Sequence, residues 1–367
     1  MFNFKRLELA RKKRGLTITA LAESLGVTSR WISELEHGRQ APTEGLLEKL
    51  ADALEFPVAF FERDDPDLLT PAAASFRALS KMPAATRDSA LASGALAFEL
   101  AAYLEQWVEI PRPEIPDLGD LEPEDAAEAL RAQWQIGDSR PIRNMIHLLE
   151  AKGVWVFSLA DSCREVDAFS TWNGERPFVF ANTRKTGERR RFDAAHELGH
   201  LVLDHYGSPR RRSPEHTVVE RRADAFASAF LMPRAAIRAS GIREPNMQTL
   251  IARKSEWRVS VLALLYRLHF LGLVNDWRYR MLNIEARERG YHRQEPNPMA
   301  TPEVSLVLPN TFAILAQDGQ RRTAIADALG IRPDDLDGLV FDLVPTAVPG
   351  VGSGPSSPSR GRLSRVP

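Results

Sequence analysis

Apolar residues near the amino terminus recur at helical spacing in several short segments. Such segments include Leu7, Leu21 and Leu46, and glycines separate them. Residues spaced three or four apart share one face of a helix, and glycine commonly ends a helix or forms a tight turn. The pattern predicts four short helices within residues 1–62.

The pattern of the remaining chain changes from helices to strands and back. Residues 90–108 form a long Ala- and Leu-rich segment with helical spacing. Residues 153–157, 167–172 and 177–181 are rich in the aromatic and β-branched residues that favour strands, and the Asn-Gly pair at 173–174 is typical of a hairpin turn. Helical patterns then continue. The prediction is a mainly α protein with a small antiparallel β-sheet, of the α+β class.

Composition narrows the possible environment of the protein. The chain has 367 residues, 44% hydrophobic and 26% charged, which suits two or three globular domains. Its formal net charge of -1 gives no overall attraction to nucleic acid or anionic membranes, so any DNA contact must come from a local patch. No membrane span or signal peptide is expected, and the single cysteine, Cys163, fits a reducing compartment. We expect a cytoplasmic protein.

The segment 192–203 carries the clearest candidate chemistry. His196 and His200 are four residues apart, so on a helix they project from one face at the spacing that two imidazoles need to share a metal. The side chain of Glu197 lies beside them and can accept a proton from a water at the metal. The alternative is a chance match of ordinary core or surface histidines.

A second helical segment, 218–233, offers further ligands. Glu220 and Asp224 fall on one face of this predicted helix. The carboxylate of Glu220 can bind zinc, whereas Asp224 can accept the second ring N–H of a histidine ligand and fix its tautomer. Taken alone, Glu220 would be read as an exposed helix carboxylate.

HELGH followed by E-x-x-A-D-x-F-A-x-x-x-L-M-P resembles the ImmA/IrrE family of bacterial metallopeptidases, and the wider arrangement is similar to the gluzincins. The resemblance implies Zn²⁺ held by His196, His200 and Glu220, with Glu197 as the general base. Asp224 is expected to accept a hydrogen bond from a histidine ligand without binding the metal itself. The sequence leaves open whether His205, Tyr206 or His216 stabilises the oxyanion of amide hydrolysis.

The amino-terminal helices have a resemblance of their own. L-A-E-S-L-G-V-T-S-R-W-I-S-E-L-E-H-G-R-Q-A-P is similar to the Xre/Cro family of helix-turn-helix repressors. The resemblance implies that the third helix enters the major groove of an operator in double-stranded DNA. The candidate DNA-binding residues are Thr28, Ser29, Arg30 and Ser33 for the bases, with Arg39 and Gln40 near phosphates. A homodimer would suit binding to DNA, with residues 90–108 as the helix that pairs with a second copy. The alternative is that the helix-turn-helix domain serves only dimerisation or contacts with other proteins.

These resemblances divide the chain into five predicted parts. They are a helix-turn-helix domain at 1–62, a helical connector at 63–141, a zinc metallopeptidase domain at 142–295, a small helical region at 296–344 and a disordered tail at 345–367.

A basic stretch lies just before the histidines. Arg184 and Lys185 precede the arginine run 189–191. A solvated basic loop is one interpretation, and a surface that binds an acidic segment of the substrate is the other.

The sequence therefore predicts a transcriptional regulator fused to a zinc endopeptidase that cleaves a regulatory protein such as a repressor. The alternative is a DNA-binding repressor or antitoxin-like regulator whose metal-binding domain senses a signal or binds a partner with little or no proteolysis.

Overall fold

The computed structural model describes residues 1–70, 83–159, 168–204 and 216–344. Two compact units share the chain. The first contains Met1–Arg112, Trp155–Val166 and Val304–Pro367, and the second contains Pro113–Val154 and Asp167–Glu303. Cys163 and the predicted disordered tail lie outside the described residues.

The first unit begins with four helices: α1 (Phe4–Lys13), α2 (Ile18–Leu25), α3 (Ser29–Glu36) and α4 (Glu44–Leu54). Thr17 and Thr28 cap α2 and α3, because each side chain accepts a hydrogen bond from a backbone N–H of the first turn. Gly26 ends α2 in the left-handed conformation, at a φ of 67°. This turn sets α3 across α2, as in a helix-turn-helix.

A buried ion pair fixes α3 against α1. The guanidinium of Arg11 donates two hydrogen bonds to the Glu36 carboxylate, at 2.6 and 2.8 Å. Both side chains are largely buried. Because a buried charge is costly without its partner, the pair specifies one orientation of α3.

The rest of the first unit packs around these helices. A 3₁₀ helix spans Val58–Glu62, and the other elements are α5 (Ala84–Leu104), strand β1 (Trp155–Ser158), α14 (Val307–Gln317), α15 (Arg322–Leu329) and α16 (Pro333–Val340). Arg14 of α1 forms two hydrogen bonds with Asp335 of α16, at 2.6 and 2.8 Å. Helix α16, near the carboxy terminus, therefore contacts the helix-turn-helix domain directly.

Helix α5, the segment proposed for dimerisation, packs against α1. Lys13 donates a hydrogen bond to the Ser93 hydroxyl at 3.1 Å, and Ser89 donates to the Lys13 carbonyl at 2.9 Å. Most apolar side chains of α5 are buried. The homodimer stays a prediction.

The second unit is mainly helical and contains a hairpin. Its helices are α6 (Pro123–Gln133), α7 (Met145–Ala151), α8 (Gly187–Leu203), α9 (His216–Leu231), α10 (Arg234–Ala239), α11 (Met247–Trp257), α12 (Val261–Phe270) and α13 (Asp276–Glu288). Strands β2 (Ala168–Asn173) and β3 (Arg176–Ala181) pair antiparallel, with Phe169 opposite Phe180 and Asn173 opposite Arg176. The register confirms the predicted turn after Asn173.

Two buried arginines secure the carboxyl end of α9. Arg131 donates a hydrogen bond to the Phe230 carbonyl at 2.6 Å, and Arg267 donates to the Met232 carbonyl at 2.7 Å. Carbonyls at the end of a helix have no partner within the helix, so these bonds satisfy them. They anchor the helix that carries Glu220.

The fold class is confirmed, since helices dominate and the strands are few and short. None of the helices in the described ranges has the length and apolar character of a membrane span.

Candidate functional site

Helix α8 presents the two histidines one turn apart. Their rings lie 4.7 Å apart between centroids, and the two Nε2 atoms are 3.0 Å apart. Apolar residues on the same helix, among them Leu198 and Val202, are fully buried. The core-facing side of α8 therefore fixes the direction in which His196 and His200 project.

Each histidine has a carboxylate at its other ring nitrogen. Nδ1 of His196 lies 2.8 Å from Asp224, and Nδ1 of His200 lies 3.0 Å from Asp204. These contacts favour a hydrogen on Nδ1, which leaves both Nε2 lone pairs facing the same point. Asp224 was predicted from the sequence. Asp204 was not, although it follows His200 by four residues and so lies on the same side of the helix.

Glu220 reaches the same point from α9. Its carboxylate oxygens lie 3.4 Å from Nε2 of His196 and 3.5 Å from Nε2 of His200, and the side chain is buried. Gly199 permits this approach, because a Cβ at that position would be 3.2 Å from Cα of Ala223. The glycine of HELGH therefore allows α8 and α9 to pack closely.

The donor set fits a tetrahedral zinc ion. Two ligands at ordinary zinc distances are separated by about 3.3 Å around a tetrahedral metal, close to the 3.0 to 3.5 Å observed among these three side chains. Two Nε2 atoms this close cannot both carry a proton without repulsion. A cation between them and Glu220 resolves the conflict.

The electrostatics of the group also favour a cation. Burial lowers the pKa of His196, but hydrogen bonds to Asp224 and Glu220 outweigh it and raise the pKa to about 10. For Glu220, burial raises the pKa, whereas the bonds to both histidines lower it well below its usual value. Positive charge is therefore stabilised at the point that these residues surround.

Glu197 lies beside the group and has a partner of its own. One carboxylate or ring atom from each of His196, Glu197 and His200 falls within 4.8 Å of the others. The Ser170 hydroxyl donates a hydrogen bond to Oε2 of Glu197 at 2.7 Å. Ser170 lies on β2 and had no recognisable pattern in the sequence. The hydrogen bond from Ser170 orients the buried carboxylate of Glu197.

The basic stretch before the histidines divides into two groups. Arg190 and Arg191 are buried, and Arg191 forms an ion pair with Glu303 and donates to the Ile142 carbonyl. These two arginines support the fold. Arg184 and Arg189 are exposed.

The candidate DNA-binding residues cluster around α3. Thr28 and Arg30 are exposed, and Ser29 and Ser33 are half-buried on the same helix. They are joined at the carboxyl end of the helix by Arg39 and Gln40, which are both exposed. Arg39 donates a hydrogen bond to Glu34 at 2.5 Å, so a carboxylate already occupies one of the predicted phosphate contacts.

Comparison with family models identifies two domains in the chain. Residues 5–62 match a helix-turn-helix domain. Residues 149–269 match the IrrE N-terminal-like domain, a peptidase family. The chain joins a helix-turn-helix domain to an IrrE-like peptidase domain. Both resemblances inferred from the sequence are thereby confirmed. No curated protein matches the chain.

The IrrE-like domain spans all the residues that converge on the candidate metal centre, including the unpredicted Ser170 and Asp204. It has a metallopeptidase-like fold with a His and Glu group able to hold a metal. Among the oxyanion candidates, His205 and Tyr206 lie outside the described residues, as does the side chain of His216.

Proposed function

We propose that the protein is a DNA-binding transcriptional regulator whose IrrE-like domain is a zinc-dependent endopeptidase that cleaves a regulatory protein, such as a repressor. The convergence of His196, His200 and Glu220, with Glu197 held beside them, carries the proposal. Because its operator would be chromosomal, such a regulator acts in the cytoplasm.

The residues of the IrrE-like domain have separate roles. His196, His200 and Glu220 would hold the zinc ion, and Asp224 and Asp204 keep the histidines in the tautomer that offers Nε2. Zinc, when bound, supplies a Lewis acid that polarises the scissile carbonyl and makes water acidic. Glu197 takes the proton of the attacking water and delivers it to the leaving amine.

Helix α3 of the helix-turn-helix domain would read the operator. The exposed guanidinium of Arg30 suits bidentate recognition of guanine. Ser29 and Ser33 lie on the same helix, and Thr28 caps its amino-terminal end. Arg39 and Gln40 would contact phosphates, which position the domain without specifying sequence.

Cleavage is tested by incubating the zinc-loaded protein with cell lysate, next to its Glu197→Gln variant. The variant should keep about one zinc per chain and lose cleavage, because Gln cannot take the proton. A protein product present only with the unaltered chain supports the endopeptidase. Equal cleavage by Glu197→Gln would falsify the assigned role.

A second function has its own support. Glu197, His200 and Glu220 are each less than 5% exposed, so these three side chains offer little surface to a bulky ligand. Such burial suits a repressor or antitoxin-like regulator whose metal site senses a signal or binds a partner. DNase footprinting at varied zinc concentration separates the two functions, since a sensor predicts zinc-dependent DNA affinity without any peptide product.

A further inference from the structure

A cleft of about 880 Å³ lies beside the candidate metal centre, within the second unit. Asp224 lines the cleft, and the same carboxylate contacts Nδ1 of His196 at 2.8 Å. The cleft therefore borders the Nδ1 side of His196 and runs along the amino-terminal end of α8. The three proposed metal ligands are not among the described residues that line it. Its other walls come from α12 and the segment that follows α13.

Positive side chains predominate in this cleft. Among the described residues, five line it: Arg184, Lys185, Arg189, Arg221 and Arg293. They come from three separate parts of the chain. The guanidiniums of Arg221 and Arg293 belong to exposed residues at its rim.

The carboxylates of the cleft are already engaged. Glu188 and Glu295 lie 2.9 and 3.3 Å from the buried ammonium of Lys254. Asp224 contacts His196. Asp193 is not among the lining residues, but it lies 3.0 Å from Arg189 and 3.9 Å from Lys185, so two of the five lining cations already face a carboxylate. Lys254 therefore offsets the negative charge of Glu188 and Glu295, whereas the exposed Arg221 and Arg293 lie at the surface, where they can meet a ligand.

Aromatic side chains complete the lining. The rings of Tyr266 and Phe270 stack with centroids 6.3 Å apart, and both residues are exposed, at 42% and 53%. Exposed stacked rings offer an apolar surface with low side-chain entropy cost. Phe192 and Tyr291 add further aromatic surface.

We propose that this cleft binds an acidic segment of the cleaved protein, with carboxylates at the cationic rim and an apolar side chain against Tyr266 and Phe270. The proposal rests on the proposed endopeptidase, whose substrate it describes by charge. A compact anion is better held by buried, converging donors, whereas cations spread along an open cleft suit carboxylates spaced along a peptide. The cleft thus makes acidic residues of the substrate a determinant of specificity.

The test uses the full-length, zinc-loaded Glu197→Gln variant, which binds without cleaving. Fluorescence anisotropy measures its affinity for a labelled peptide of alternating Glu and Phe residues and for the same peptide with Gln in place of Glu. We expect the acidic peptide to bind about tenfold more tightly, with a preference that weakens as salt is added.

Charge reversal locates the binding surface. Arg221→Glu combined with Arg293→Glu should weaken binding of the acidic peptide about tenfold and leave the Gln peptide nearly unchanged. The matched control combines Arg238→Glu with Arg280→Glu, two exposed arginines outside the cleft lining, and should change affinity less than about twofold. Because Arg221 adjoins Glu220, zinc content is measured too, and Arg293→Glu alone provides a variant distant in sequence from the ligands.

Three results would overturn the proposal. They are equal affinity for the two peptides, equal losses in the cleft and control variants, and full displacement of the acidic peptide by millimolar inorganic phosphate, which would indicate a small-anion site. Since the assay uses a variant that does not cleave, absence of proteolysis in lysate would refute the endopeptidase without affecting this measurement.

Discussion

Ser170 of β2 donates a 2.7 Å hydrogen bond to the carboxylate of Glu197 on α8, and both side chains are almost completely buried. The bond fixes the rotamer of Glu197 beside the two histidines. A general base acts efficiently only when it is held within hydrogen-bond reach of the proton it takes. The hairpin therefore contributes directly to the proposed chemistry.

Ser170→Ala should lower the turnover rate about tenfold, because the carboxylate loses the donor that orients it. Zinc content should stay unchanged, since Ser170 bonds to Glu197, which is not one of the three proposed ligands. The measurements are the rate at which the cleavage product appears in lysate and the zinc content per chain. Ser228→Ala, at a buried serine of α9, is the matched control and should leave both unchanged. An unchanged turnover rate for Ser170→Ala would show that Ser170 does not need to orient Glu197.

Gly199→Ala should weaken zinc binding although alanine favours helices. Its Cβ would lie 3.1 Å from the Phe226 ring and 3.2 Å from Cα of Ala223, so α9 must move outward with Glu220. Overpacking of this kind costs on the order of 1–3 kcal/mol. Thermal unfolding and zinc competition with a chelator are the measurements.

The control for that substitution is Gly338→Ala, at a helical glycine whose added Cβ would meet nothing within 4 Å. It should be neutral or slightly stabilising, by up to about 1 kcal/mol. Unchanged zinc affinity in Gly199→Ala would show that the close approach of α8 and α9 is unnecessary for Glu220.

Asp224→Asn and Asp204→Asn should each reduce zinc affinity about 10- to 100-fold, because an amide holds the histidine tautomer less firmly and offers no charge to it. Chelator competition measures the affinity of each variant. Asp204→Asn is the stricter test, since Asp204 directly follows α8, contacts His200 and lies outside the sequence motif. Unaltered affinity in both variants would exclude the support assigned to these carboxylates.

Glu34→Gln should strengthen DNA binding by about threefold, because it removes the carboxylate that competes with phosphate for Arg39. Arg39→Ala should weaken binding to all sequences alike. Binding to a selected operator fragment is measured over a range of salt concentrations. Glu288→Gln makes the same change in net charge on an exposed helix of the second unit and serves as the control. Equal gains in both variants would point to net charge alone.

The sequence by itself identified the candidate metal-binding group of the IrrE-like domain. A four-residue spacing places His196 and His200 on one helix face regardless of the surroundings, and Glu220 and Asp224 follow the same periodicity. The ends of the short helices in the helix-turn-helix domain were also predictable from the sequence, because Thr28 and Gly26 act on residues within one turn.

Tertiary structure decided what depends on distant partners. Ser170 meets Glu197 only because a hairpin packs on α8, and Arg14 meets Asp335 across most of the chain length. The arginines of the basic stretch look alike in sequence, yet Arg191 is buried against Glu303 while Arg189 lines the cleft. Burial of a charge depends on where its counter-charge lies in space, and residue spacing carries no information about that.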